Sequence, residues 1–208
     1  MSSTTTQRIL TTACALFAQR GLHEVTMDDV SKAARVGIGT LYRHCATRQE
    51  LIRRAFDHAQ VELCLEVRVP HASSEPLHDI LRQRWLLVAE RALAQPALFA
   101  YWVLVGSTLG VRQQDPTAPW LPVFGGAQRV LTQVLATTEA QGEWLLILLE
   151  AQWRATVQHA LRQRQRQHTG WLETQLLPET ELLRQPYATW WAGLGLDQAT
   201  LVPRTRPA

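Results

Sequence analysis

Apolar residues recur every three or four positions along almost the whole chain, and the glycines and prolines fall mainly between such runs. That interval lines side chains along one face of an α-helix, whereas a half-buried strand needs alternation, which is nearly absent. The expected fold class is therefore all-α. With 208 residues, 46% hydrophobic and 19% charged, the chain can bury an extensive core and is no disordered tail. It has neither an early apolar leader nor a run of 18 uninterrupted apolar residues, so neither signal peptide nor membrane span is expected. Cys14, Cys45 and Cys64 lie far apart without CxxC spacing. Such thiols read as reduced and mostly buried, which points to the cytoplasm.

The helix signals are densest near the N-terminus. After a polar leader from Ser2 to Thr6, Ile9, Ala13, Leu16 and Phe17 mark a first helix that Gly21 stops. Thr26 precedes Met27-Asp28-Asp29-Val30. Its hydroxyl can accept from an orphan N–H while the two acids face the positive end of the helix dipole. This second helix should end near Arg35. Gly37 and Gly39 bracket Ile38, and a third short helix runs through Leu41 to Cys45. Thr47-Arg48-Gln49-Glu50 has capping-box spacing and opens a longer helix with Leu51, Ile52, Ala55, Phe56, Ala59 and Leu63 on one side. A loop from Val69 to Pro76 follows. Further helices are expected at about 77–94, 97–110, 120–137, 139–168 and 179–194, the last interrupted near Pro186, with a Pro-rich break at 115–119.

Three short helices, the second and third joined by a tight turn, have helix-turn-helix geometry, in which the later helix lies in a DNA major groove. Val30, Ala33, Val36 and Leu41 would face the small core and leave Thr40, Arg43 and His44 pointing outward. Charge agrees with this reading. Residues 1–56 hold eight basic side chains (Arg8, Arg20, Lys32, Arg35, Arg43, Arg48, Arg53, Arg54) against four acids (Glu24, Asp28, Asp29, Glu50). The remainder holds 13 basic and 14 acidic residues. A cationic head on a near-neutral body suits phosphate binding.

The run Thr26-Met27-Asp28-Asp29-Val30, then Ala33-Ala34-Arg35-Val36-Gly37-Ile38-Gly39-Thr40-Leu41-Tyr42-Arg43-His44, then Arg48-Gln49-Glu50-Leu51, resembles the DNA-binding domain of TetR-type repressors. The likeness covers about residues 7–56, a quarter of the chain. It implies that Thr26 caps the second helix and bonds a phosphate through its hydroxyl or amide. Tyr42, His44 and Arg48 would meet backbone phosphates, Gly39 would let the helix approach DNA closely, and Thr40 would meet a base or phosphate. Arg43 is the candidate for guanine, whose O6 and N7 a guanidinium can bridge. Ile38 stands where relatives often carry Lys and offers an apolar group to a thymine methyl instead, and Cys45 stands where they usually have Phe. Each has a plainer reading beside it: Tyr42 as a core aromatic, His44 as a solvated side chain, Arg43 as a phosphate contact, Thr26 as a cap alone.

The expected division is a DNA-binding domain over 1–56 and a helical effector-binding and dimerisation bundle over 57–208. All eight tryptophans lie at or beyond Trp85. The resemblance implies that the middle helices enclose a small-molecule pocket and that the last long helices pair with a second copy. Large aromatics suit an apolar site, and Trp102 and Trp153, with Phe99 and Trp85, are the candidate ligand contacts, with ordinary core packing as the alternative. The helix from Glu139 carries Trp144, Leu145, Leu148, Leu149 and Trp153, a broader apolar surface than one neighbour needs. The cations from Arg162 to Arg166 read as a solvated helix end that offsets the dipole. Trp190-Trp191 fits either an interface anchor or simple packing.

Enzymatic chemistry finds no support. Gly37-Ile38-Gly39 lacks the third glycine and preceding strand of a dinucleotide loop, and no phosphate-loop motif occurs. The histidines show no HExxH spacing, so neither metal nor cofactor is expected. The expected function is a homodimeric repressor that binds a palindromic operator in double-stranded DNA and is released by a small apolar or aromatic effector. The competing reading is a helical ligand-binding protein or enzyme whose first helices only resemble a DNA-binding module.

Overall fold

The computed structural model describes residues 2–64, 77–108, 139–168 and 179–193. Eight helices lie among them: α1 (Ser2–Arg20), α2 (Met27–Ala33), α3 (Ile38–His44), α4 (Arg48–Cys64), α5 (Leu77–Ala94), α6 (Pro96–Thr108), α7 (Glu139–His168) and α8 (Glu179–Gly193). No strand occurs among the described residues, so the all-α expectation holds. The expected loop at 69–76, the Pro-rich break, the helix at 120–137 and the C-terminal tail lie outside the described residues.

Most helix ends follow from local chemistry. Gly21, at φ 85°, takes the left-handed conformation after α1 and donates its N–H to the Phe17 carbonyl at 2.9 Å. Pro96 begins α6, where a missing N–H costs nothing. Two expectations need correction. The leader before Ile9 is itself helical, because Thr6 and Gln7 find partners in His44 and Glu62. The second is at Pro186, where α8 runs on without interruption. Leu183, Tyr187 and Trp191, one turn apart, are all buried on one face, and that burial outweighs the backbone hydrogen bond a proline removes.

The helices sort into two compact units. The first holds α1 to α4 together with α6. Its core draws Ile9, Ala13, Cys14 and Phe17 from α1, Leu51, Ile52, Ala55 and Ala59 from α4, and Leu98, Phe99, Tyr101 and Val105 from α6. Phe17 stacks on Tyr101 with centroids 5.7 Å apart, and the Tyr101 hydroxyl donates to the Ile52 carbonyl at 2.7 Å. Burial pushes the Cys14 thiol up to about 12 and the Tyr101 hydroxyl above its usual range, so both stay neutral. The division expected at residue 56 rests on the resemblance of the first helices to a DNA-binding domain. Packing follows another line, because the apolar α6 lies against α1 and α4.

The second unit contains α5, α7 and α8. Trp85, Trp153, Tyr187 and Trp191 fill it. Three of them spend their polar atoms on backbone carbonyls of neighbouring helices: Trp153 Nε1 on Trp85 at 3.1 Å, Trp85 Nε1 on Leu183 at 2.7 Å, and the Tyr187 hydroxyl on His78 at 2.8 Å. Each of these three rings thus contributes apolar area and one directional bond, which fixes helix register as well as burial.

Candidate nucleic-acid interface

The start of α2 is built by the capping box read from the sequence. The Asp29 N–H donates to Thr26 Oγ1 at 3.2 Å, while the Asp29 carboxylate accepts from the Thr26 amide at 2.9 Å and from its hydroxyl at 2.6 Å. These Thr26 bonds, with Arg20 at 3.6 Å, hold the Asp29 carboxyl below the usual carboxylate range. Both groups of Thr26 that the resemblance offered to a phosphate are therefore engaged by Asp29. Asp28, 2.6 Å from Lys32, raises the lysine's affinity for its proton.

Between α2 and α3 the chain turns through Ala34, Arg35 and Val36. Arg35 sits at φ 52°, a left-handed conformation that side chains resist. Val30 and Leu41 are fully buried as expected, but Ala34 rather than Ala33 faces the core and Val36 is half-buried. The reason is register: Ala34 lies one turn beyond Val30, directly on its face.

On α3 only Leu41 is buried. Ile38 is 44% exposed and Tyr42 48% exposed, large side chains left in water beside an exposed Arg43. This settles the open reading of Tyr42: its ring is not core. Arg43 Nη2 donates to Thr40 Oγ1 at 3.0 Å, so the two residues one turn apart act as a pair. A Cβ added to Gly39 would meet nothing within 4 Å. No packing inside the domain requires glycine there, and the open space faces outward.

His44 is not the free side chain expected. It is half-buried, with Nδ1 3.1 Å from Thr6 Oγ1, and its carbonyl accepts from Arg54. Thr6 and Arg54, which the sequence reading did not single out, thus hold the C-terminal end of α3 from two sides. Arg54 could have been suspected from its Glu50 partner one turn earlier; Thr6 carried no such signal. Arg48 is also turned inward. Its Nε donates to the Val25 carbonyl at 3.0 Å and its guanidinium carbon stands 6.0 Å from the centre of the Phe17 ring. At the start of α4, Thr47 Oγ1 accepts from the Glu50 N–H at 3.1 Å, while the Glu50 carboxylate reaches one residue past the cap to the Ala46 N–H at 2.9 Å.

The four candidate ligand residues fall into two pairs. Phe99 and Trp102 stack on α6 in the first unit with centroids 6.4 Å apart, and Trp85 and Trp153 are hydrogen-bonded in the second. All four are buried. A cleft of about 210 Å³ on the second unit is lined by Leu86, Glu90, Leu93, Ala94, Arg164, Leu183 and Arg184, and none of the four rings lines it. No helix among the described residues is long and apolar enough to cross a membrane.

A three-helix head whose second and third helices meet at a tight turn, with the last bare on one side, defines a helix-turn-helix DNA-binding protein. Residues 9–55 match the family model of bacterial regulatory proteins, tetR family. Over these residues, about a quarter of its length, the chain is similar to that family's DNA-binding domain. Two solved structures share its fold. One, from Shewanella sp. PV-4 and assigned to the tetR family of transcription regulators, is 19% identical, covers 91% of this chain and 97% of its own, and has a TM-score of 0.65. The other, a TetR-like transcriptional regulator from Rhodococcus sp. RHA1, is 18% identical, with 92% and 96% covered and a TM-score of 0.59. No curated protein matches the chain in sequence.

Proposed function

We propose that the chain is a cytoplasmic homodimeric repressor that holds a palindromic operator with two copies of α3 and releases it when a small apolar or aromatic effector binds the body. The observation that carries DNA reading is the bare face of α3. Ile38 and Tyr42 are exposed although the domain buries most of its other large apolar side chains, and such a patch marks a contact surface. Arg43 supplies base-edge donors there with Thr40 beside it, Ile38 meets a thymine methyl, and Tyr42 and the edge of His44 meet phosphates. Gly39 keeps the approach close, and Thr26 fixes the start of α2. One seven-residue helix reads few bases, so two copies about 34–36 Å apart double the readout.

The effector reading is supported by the cleft of about 210 Å³ in the second unit, where Leu86, Leu93, Ala94 and Leu183 offer apolar surface beside Glu90 and two arginines. A ligand acts only through its preference for one arrangement of the two heads.

Binding sites selected from random duplexes by the full-length protein test the DNA reading. Arg43→Ala should relax the preferred sequence at one position, at a cost of about 1–3 kcal/mol on the cognate site. Tyr42→Ala should weaken all duplexes alike. DNA binding without steep salt dependence, or none at all, would favour the helical ligand-carrier reading.

A further inference from the structure

A cation at the start of α4 stands where it could meet a phosphate, yet the Arg48 side chain is spent inside the domain. Its Nε–H goes to the carbonyl of Val25, the residue directly before the α2 cap. Its guanidinium lies within cation–π reach of Phe17, 6.0 Å from the ring centre. Its Nη2 is buried, with no hydrogen-bond partner among the described residues. Phe17 in turn stacks on Tyr101 of α6, and the Tyr101 hydroxyl returns to Ile52, one turn along α4 from Arg48. The result is a closed circuit, α4 to α1 to α6 and back to α4, with the Val25 carbonyl as its branch to α2.

We infer that Arg48 is a positioning residue for operator recognition: its guanidinium fixes the Val25 carbonyl, and through the Thr26 cap the α2–α3 pair, against α4, instead of neutralising a phosphate. A side chain that commits Nε to a carbonyl and buries Nη2 has little left to offer DNA. Its geometric hold matters more than its charge. Base-edge hydrogen bonds need α3 in register, whereas phosphate contacts tolerate small shifts because they carry no sequence information. Loss of Arg48 therefore falls on specific binding and spares the non-specific kind. Lysine cannot substitute, since it keeps the charge but lacks the planar Nε–H fork.

The test compares full-length wild type, Arg48→Met and Arg48→Lys on two duplexes: one enriched by the wild type from random DNA, and a poly(dI-dC) duplex. Affinities are taken at several salt concentrations, with a thermal melt of each protein. Both variants should lose about tenfold or more on the enriched duplex and stay within about twofold on the other, with Lys no better than Met and the salt slope unchanged. If both duplexes weaken together, the slope flattens by about one and Lys restores it, Arg48 is a phosphate contact and the inference is overturned. Variants that melt earlier but bind with full affinity while folded overturn it too. Should Arg48→Met fail to fold, Tyr101→Phe cuts the same circuit at Ile52 and should lower the ratio of the two affinities; an unchanged ratio overturns the circuit. The inference rests on DNA binding by α3. A wild type that binds neither duplex sinks that reading and this one together, whereas a changed ratio in variants alone bears on Arg48.

Discussion

Arg35 carries the most local tension in the DNA-binding head. At φ 52° it is the one non-glycine among the described residues with positive φ, and it is exposed, so nothing in its side chain's packing requires arginine. A left-handed L-residue costs about 1–2 kcal/mol, part of which glycine returns through its freer unfolded chain. Arg35→Gly should therefore raise stability by about 0.5–1 kcal/mol in urea titrations. Arg35→Val should lower it, because a β-branched side chain fits that region worst. A glycine variant no more stable than the parent would show that the turn relaxes away from positive φ in solution. Arg48 and His44 show how far a residue's role can depart from its address. Both stand at positions of DNA contact by resemblance, yet their partners, Val25 and Thr6, lie 23 and 38 residues away in sequence. No local pattern announces such bonds.

At the scale of elements, α1 and α4 are joined along their length by polar pairs over an apolar seam. Gln7 Nε2 meets Glu62 at 3.4 Å, and Thr11 Oγ1 lies 2.9 Å from His58 Nε2, with Glu62 beyond at 3.9 Å. Burial holds the His58 pKa below its ordinary 6.5, the nearby Glu62 opposing the shift. The unfolded chain then takes up the proton more readily than the folded one. The neutral ring's contribution is complete above pH 6.5 and is lost as the pH falls through the lowered folded pKa. Melting temperature should therefore drop as the pH is taken below 6.5, and His58→Gln should flatten that part of the profile. An unchanged profile would assign the acid sensitivity elsewhere. The elements themselves were largely legible in the sequence. The expected helices at 77–94 and 139–168 match α5 and α7, because helix ends are written in short-range signals such as caps, Gly21 and Pro96. Pro186 misled for the opposite reason: the burial that carries α8 past it is tertiary. The allegiance of α6 to α1 and α4 was equally hidden, since an apolar helix does not state which partner it will cover.

At the scale of the whole molecule, α7 has two faces. Leu149, Trp153, Val157 and Ala160 are buried, while Trp144 and Leu148, one turn apart, stay 65% and 55% exposed, followed on the same side by the exposed Ala151 and Ala155. A second copy covering that stripe is the assembly a palindrome asks for. Trp144→Glu with Leu148→Glu should leave helix content intact by circular dichroism and convert dimers to monomers by light scattering. Operator affinity should fall with them, because each half-site would then be held alone. A wild type already monomeric at micromolar concentration would refute both the dimer and the palindrome. The route of the chain has a consequence of another kind. It leaves the DNA-binding unit after α4, forms α5 in the second unit, and returns as α6 to complete the first. A chimera that grafts residues 1–56 onto another regulator's body would leave Phe17 without Tyr101 and strip the head of a wall of its core. Exchange of specificity between such proteins, by engineers or by recombination, must therefore carry α6 along or repack the graft seam around a foreign helix.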